Sequence, residues 1–248
     1  MWCNFTLMEN IDKKPVGQIV AEDFSTYSVF ESHQIDYYNK GKRTLEEVAA
    51  EDHIDLPALT GEIEKKRSSS QKDEDFNSWP LDALCEYIIK TYHLPAEQQI
   101  KEIKPALEKV TGVYGGQYPV IAEIKKLFDE AAGIIAVHQK KEELILFPFI
   151  RKMADAERNH KEFVTPRATK SVESPVNMLT HEHHQQSDLF QKIAGLSHDY
   201  TSPEEVDGTF RDSLHLLKKF ELQLHQHLHL ENNILFPKAL KLEKELTV

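Results

Sequence analysis

One run of eleven residues occurs twice in the chain: HQKKEELILFP at 138–148 and HLHLENNILFP at 227–237. The offset is 89 residues throughout, pairing His138 with His227, Glu142 with Glu231, Phe147 with Phe236 and Pro148 with Pro237. Each copy sets a His and a Glu four residues apart, which on a helix is one turn along one face. Imidazole and carboxylate presented together are donors for a transition-metal ion. Two further histidines, His93 and His183, stand 90 residues apart, so positions 93, 138, 183 and 227 fall at intervals of 45, 45 and 44. Four evenly spaced elements, each offering a His and two adding a Glu, describe a metal site inside a four-helix bundle.

The elements that must position these donors are legible as helices. The second carries Ile121, Ile124, Phe128, Ala131, Ile135, His138, Glu142, Ile145 and Phe149 at alternating steps of three and four, the spacing of a buried helical stripe. The first opens at Ser78-Trp79-Pro80 and runs through Cys85, Ile89, His93, Ile100 and Leu107, with Pro95 expected to kink it just after His93. The third starts at Pro175 and carries Val176, Leu179, His183, Gln186, Phe190 and Ile193; the last carries Phe210, Leu214, Leu217, Phe220, Leu224, His227, Glu231 and Ile234. No segment has a convincing strand pattern, so the fold class is all-α.

Glu142 and Glu231 therefore occupy core positions, where an uncompensated carboxylate is very costly. A lone His on an apolar face is usually a satisfied core residue, and a lone HxxxE is usually a solvated pair. Two in-phase copies joined by two more histidines in phase make metal binding the better reading. The stripes select His227 over His225 and His229, which point aside, and His183 over His181 and His184. His33, His53, His160, His198 and His215 have no comparable partners and read as surface or capping residues. Four imidazoles and two carboxylates suit iron or manganese better than calcium or magnesium; manganese or zinc at one position remains compatible with the set.

The 248 residues are 40% hydrophobic and 29% charged, with a net charge of −11, which gives enough apolar material for a sizeable core and argues against nucleic-acid or anionic-membrane partners. The two cysteines, Cys3 and Cys85, form no CxxC. With no signal-peptide pattern and no apolar run of spanning length, the expectation is a cytoplasmic protein. Residues 1–64 read as a small helical domain with a capping box at Thr44-Leu-Glu-Glu47. The polar segment 65–78 reads as a linker, and 79–248 as the bundle, with a second polar stretch at roughly 154–174.

Tyr92-His93, HQKKEELILFP, PVNMLTHEHHQQ and HLHLENNILFP resemble, in order and spacing, the ligand segments of hemerythrin-like domains, and most closely those of the di-iron iron–sulfur cluster repair (RIC, or ScdA/YtfE) family. The likeness covers nearly the whole chain. It implies a hemerythrin-like up-down four-helix bundle behind a small N-terminal domain. It also implies a non-haem centre of two iron ions, oxo- or hydroxo-bridged, held by His93, His138, Glu142, His183, His227 and Glu231. The internal repeat suggests His93 and His138 on one iron and His183 and His227 on the other, with Glu142 and Glu231 bridging. The implied role is repair of iron–sulfur clusters damaged by oxidative or nitrosative stress, through iron donation. Damaged iron–sulfur proteins would be the partners, with nitric oxide or oxygen as small ligands and homodimerisation open. The family is not a conventional enzyme class, a nitric oxide reductase-like side activity apart.

Two departures from the family pattern bear on that role. The family carries a Cys-Cys pair in the N-terminal domain where this chain reads Ile35-Asp36-Tyr37-Tyr38-Asn39-Lys40-Gly41, so Tyr38 and Asn39 replace the thiols. Tyr114 and Tyr118 stand in the loop before the second helix, where the family usually has histidines. The alternative expectation is a hemerythrin-like di-iron sensor or binder of nitric oxide or oxygen. His183 is followed at i+4 by Ser187 rather than by the second histidine of true hemerythrins, which argues against a dedicated oxygen carrier.

Overall fold

The computed structural model describes residues 11–69, 75–164 and 171–247. Cys3 and the middle of both polar segments lie outside them. The regular structure described is helical apart from one isolated antiparallel bridge, Pro15 to Thr44. No helix among the described residues is long and apolar enough to cross a membrane. Two compact units are present: residues up to Trp79 together with Leu228–Leu235, and Pro80–His227 together with the residues from Phe236 onward.

The first unit contains α1 (Val16–Glu22), α2 (Tyr27–Ser32), α3 (Leu45–Glu51) and α4 (Leu56–Ser69). Its core is Val16, Ile19, Val20, Phe30, Ile35, Tyr37, Leu45, Val48, Leu59 and Ile63, all nearly or fully buried. The capping box is formed as the sequence implies: Thr44 Oγ1 accepts from the Glu47 amide at 3.3 Å, and the Glu47 carboxylate accepts from the Thr44 amide at 2.8 Å. Hydrogen bonding at this helix start also lowers the Glu47 carboxyl below its ordinary range. α4 runs to Ser69, into the segment read as linker. Arg67 explains the extension, since its guanidinium reaches the Ile19 carbonyl at 3.3 Å and Glu22 at 3.4 Å.

From Leu81 onward the chain forms four helical rods. α5 (Leu81–Ile88) continues into α6 (Leu94–Tyr114), α7 (Val120–Lys141) into α8 (Phe147–Arg158), α9 (Glu173–Leu196) stands alone, and α10 (Gly208–Leu230) continues into α11 (Phe236–Leu246). α7 packs on α6 and α9, and α8 on α5 and α11. Phe128, Phe190 and Phe220, from three different rods, interlock with ring centroids 5.5–6.3 Å apart. The rods pack as an all-α helical bundle.

Three rods are interrupted by a single π-helical turn: Ile89–His93, Glu142–Leu146 and Glu231–Leu235. In every case a proline stands two residues beyond the turn: Pro95, Pro148 and Pro237. A helical proline lacks its N–H and collides with the carbonyl four residues back. That carbonyl belongs to Thr91, Leu144 or Asn233, each in the middle of the wider turn. Pro95 is thus accommodated by an inserted residue, and the rod continues where a simple kink was expected. The insertion also rotates the helix beyond it. The stripe of α7 is buried through Glu142, but Ile145, expected in the core, is 47% exposed and Leu146 is fully buried in its place.

In the first unit, Gly41 lies against Asn233 and the Tyr37 carbonyl, and a Cβ there would sit 2.7 Å from that carbonyl oxygen. Gly133, on the exposed face of α7, has open space. Gly41→Ala is expected to destabilise the full-length protein by about 1–3 kcal/mol through backbone displacement, whereas Gly133→Ala stabilises by roughly 0.5–1 kcal/mol by lowering unfolded-state entropy. Urea unfolding of both variants measures the opposed signs.

Candidate metal centre

The structure brings all six predicted donors together. His93, Glu142, His227 and Glu231 each place one donor atom so that all lie within 4.8 Å of one another, and His138, Glu142, His183 and Glu231 do the same. Every one of the six is buried, with Glu142, His183 and Glu231 fully so. The two groups share both carboxylates and differ in their histidines. The partition is not the one inferred from the repeat: His93 stands with His227 and His138 with His183. Bundle packing is the reason, because α7, which carries His138, lies against α9, which carries His183.

The nitrogens have the spacing of neighbouring ligands. His93 Nε2 and His227 Nε2 are 3.2 Å apart, and His138 Nε2 and His183 Nε2 are 3.0 Å apart. Two nitrogens bound at about 2.1 Å to one first-row ion, at a right angle, would be about 3 Å apart. One Glu142 oxygen lies 3.4 Å from His93 Nε2 and the other 3.4 Å from His138 Nε2. Its carboxylate therefore addresses both halves at once.

The helical interruptions serve this geometry. His93 ends one π turn, and Glu142 and Glu231 each begin another. Such turns recur at functional sites because the extra residue re-aims a side chain without ending the helix. The doubled ILFP then supplies walls for the site. Phe147 stacks on His93 at 5.7 Å and Phe236 on His183 at 5.7 Å, while Tyr92 stacks on His227 at 5.5 Å.

Two carboxylates that the sequence reasoning missed complete the arrangement. Glu143 Oε1 lies 3.0 Å from His93 Nδ1, and Glu182 Oε2 lies 2.9 Å from His138 Nδ1. Burial pushes both carboxyls up, but hydrogen bonds outweigh it and hold them below their ordinary range. The opposing donors are Lys140 and His93 for Glu143, and Lys141 and His138 for Glu182. An ionised carboxylate only accepts, so each Nδ1 donates, and Nε2 is the nitrogen left facing the cluster. The signal was present: Glu143 adjoins Glu142, Glu182 adjoins His183, and the lysines lie between His138 and Glu142.

The remaining histidines sort by face. His181 and His184 are exposed on α9. His225 lies 4.0 Å from Glu221. His229 belongs to the first unit, where it packs between Phe24 and Tyr37 and its Nδ1 accepts from Asn233 at 3.2 Å. Complete burial lowers its pKa to about 3, so the ring is neutral. His53, His160 and His198 take positive φ values of 57°, 49° and 47° at helix ends, as the capping reading implied. His33 pairs with Glu62 at 2.9 Å, and His215 is exposed. Tyr114 and Tyr118 do not join the cluster. The Tyr114 hydroxyl accepts from the Asp207 amide, the Tyr118 hydroxyl bonds Glu205, and both rings meet Phe210 edge-on.

Comparison with known proteins agrees with this geometry. Residues 86–239 match the family described as hemerythrin HHE cation binding domain. Residues 12–67 match the ScdA_N domain, described as of unknown function. The iron-sulfur cluster repair protein YtfE of Edwardsiella ictaluri is 28% identical over 227 residues, 92% of this chain and 96% of its own length. The protein of the same name from Yersinia pseudotuberculosis is 29% identical over 217 residues, 86% of this chain and 90% of its own.

Removing an outer carboxylate should loosen the metal while leaving the direct donors in place. Glu143→Gln and Glu182→Gln are each expected to weaken metal affinity by roughly 10–100-fold, read by competition against a chromophoric chelator, with the helical circular dichroism unchanged.

Proposed function

Since the chain belongs to the hemerythrin HHE cation-binding family, we propose that its cluster holds two iron ions and that the protein takes part in restoring damaged iron–sulfur clusters. His93 and His227 would hold one ion, His138 and His183 the other, and Glu142 and Glu231 would bridge them, with an oxo or hydroxo group completing the bridge. The observation that carries this reading is the sharing of both buried carboxylates between two histidine pairs at ligand spacing. The donor set fits iron, being nitrogen-rich and free of thiols. Bound iron would supply redox chemistry, affinity for diatomic molecules, and metal that can be passed on.

The residues of the chain govern each of those properties. Two carboxylates offset the positive charge that the core could not otherwise carry. Glu143 and Glu182 accept from His93 and His138 at Nδ1 and so orient Nε2 toward the metal position. Protonation of the histidines competes with metal, so affinity falls as pH drops and release is easier in acid. The repair role draws on the relatives, which are named for it and which the chain matches over most of its length. Damaged iron–sulfur proteins would be its partners. Iron donation is the mechanism we favour, because every donor is an imidazole or carboxylate that can take up a proton in place of the metal.

A second reading, a di-iron sensor of nitric oxide or oxygen, has one specific observation behind it. Tyr38 and Asn39 offer no thiol, and both are held by Asn232, whose Nδ2 donates to the Tyr38 carbonyl at 3.2 Å and to the Asn39 side-chain oxygen at 3.1 Å. Asn232 directly follows Glu231. One experiment separates the readings. Iron-loaded protein is incubated anaerobically with an enzyme whose [4Fe–4S] cluster has been damaged by nitric oxide. Repair predicts recovery of that enzyme with loss of iron from this protein, and Glu142→Ala with Glu231→Ala should abolish the recovery. No recovery, together with a stable stoichiometric nitric oxide adduct and full retention of iron, would instead support sensing.

A further inference from the structure

The two wide turns that carry the shared carboxylates are braced differently. After Glu142, Glu143 bonds His93, and Leu144 and Ile145 are exposed. After Glu231, Asn232 and Asn233 turn instead to the loop 37–41 of the first unit. Asn232 Nδ2 donates to the Tyr38 carbonyl at 3.2 Å and to Asn39 Oδ1 at 3.1 Å. Asn233 Nδ2 lies 3.2 Å from the Tyr37 carbonyl, the Tyr38 carbonyl and His229 Nδ1 alike. Its Oδ1 fills a notch between Gly17 and Gly41, where a Cβ on either glycine would overlap it. The Gly17 amide donates to the Gly41 carbonyl at 2.9 Å, a backbone approach that side chains would obstruct.

A π-helical turn departs from the regular hydrogen-bond ladder, and Pro237 withholds the N–H that would have met the Asn233 carbonyl. Contacts from outside the helix then decide which conformation the turn keeps. We propose that Asn232 and Asn233 are positioning residues for Glu231: by binding the loop 37–41 they fix the turn that aims its carboxylate at the metal position. The proposal rests on the metal-centre reading and goes beyond it. One of the two shared carboxylates depends on a loop of the first unit, and the other does not. Asn39 supplies a strong acceptor to this contact, where a thiol would be a weak one. The coupling is reciprocal, because a loop that tightens the ion must itself be steadied by the ion to the same extent.

Full-length protein, stripped of metal and titrated anaerobically with ferrous iron against a chromophoric chelator, gives the affinity. Hydrogen exchange read by mass spectrometry, with and without iron, gives the stability of the loop. Asn233→Ala should weaken iron binding about tenfold or more, as loss of an outer contact does at metal sites. Asn232→Ala should weaken it about fivefold, the size of one lost hydrogen bond, and adding Asn39→Ala to Asn232→Ala should weaken it no further. Thr44→Ala removes a helix cap elsewhere in the first unit and destabilises that unit, yet should bind iron as wild type does. Iron should slow exchange in residues 35–43 more than in 56–69. The proposal is overturned if both asparagine variants bind iron as wild type does, if Thr44→Ala weakens binding as much as Asn233→Ala, or if iron slows exchange in 35–43 no more than in 56–69. Should Asn233→Ala fail to fold, judged by circular dichroism, Asn232→Ala and the exchange data decide. A wild-type chain that takes up no iron instead overturns the metal-centre reading, and the chelator titration distinguishes that outcome.

Discussion

Two fully buried carboxylates in the interior of a helical bundle are the constraint on which the rest of this structure depends. Glu142 and Glu231 occupy positions that the stripe periodicity reserves for apolar side chains, and an isolated charge there would be prohibitive. Four imidazole nitrogens within ligand spacing convert that liability into a cation site. The roles of the outer residues derive from it: Glu143 and Glu182 orient His93 and His138, Lys140 and Lys141 hydrogen-bond those carboxylates, and Phe147, Phe236 and Tyr92 stack on His93, His183 and His227. A bound cation supplies the opposite charge that such a core needs.

The proline-linked π turns connect local sequence to this chemistry. A regular α-helix repeats its face every 3.6 residues and would keep a donor and its successors on one stripe. Inserting one residue at Ile89–His93, Glu142–Leu146 and Glu231–Leu235 lets the rods present donors and still bury a different set of apolar residues beyond them. The proline two residues later makes the wide turn the least strained arrangement. The same residue type that would end a helix elsewhere here stabilises the distortion that the site requires.

Most of the fold and the convergence of the six buried His and Glu side chains were legible in the sequence, because a repeat with fixed offset and helical spacing reports faces directly. The pairing of histidines was not legible. It depends on which rods are neighbours, and equal spacing along the chain carries no information about that. Ile145 was misplaced for a related reason, since a periodicity argument cannot anticipate an inserted residue unless Pro148 is read as its marker. The middles of the two repeats also diverge: QKKE surrounds His138 with charges that serve the neighbouring ligands, whereas LHLENN supplies His229, Asn232 and Asn233 to the core and loop of the first unit. A repeat identifies what two copies share, and these roles lie in what they do not share.

The central claim is that one chain holds two irons bridged by Glu142 and Glu231. Mössbauer spectroscopy of anaerobically iron-loaded protein, oxidised to the diferric state and paired with metal analysis, addresses it most directly. The account predicts two irons per chain in a single antiferromagnetically coupled pair with a diamagnetic ground state. One iron per chain, or two irons behaving as independent high-spin ferric ions, would contradict it.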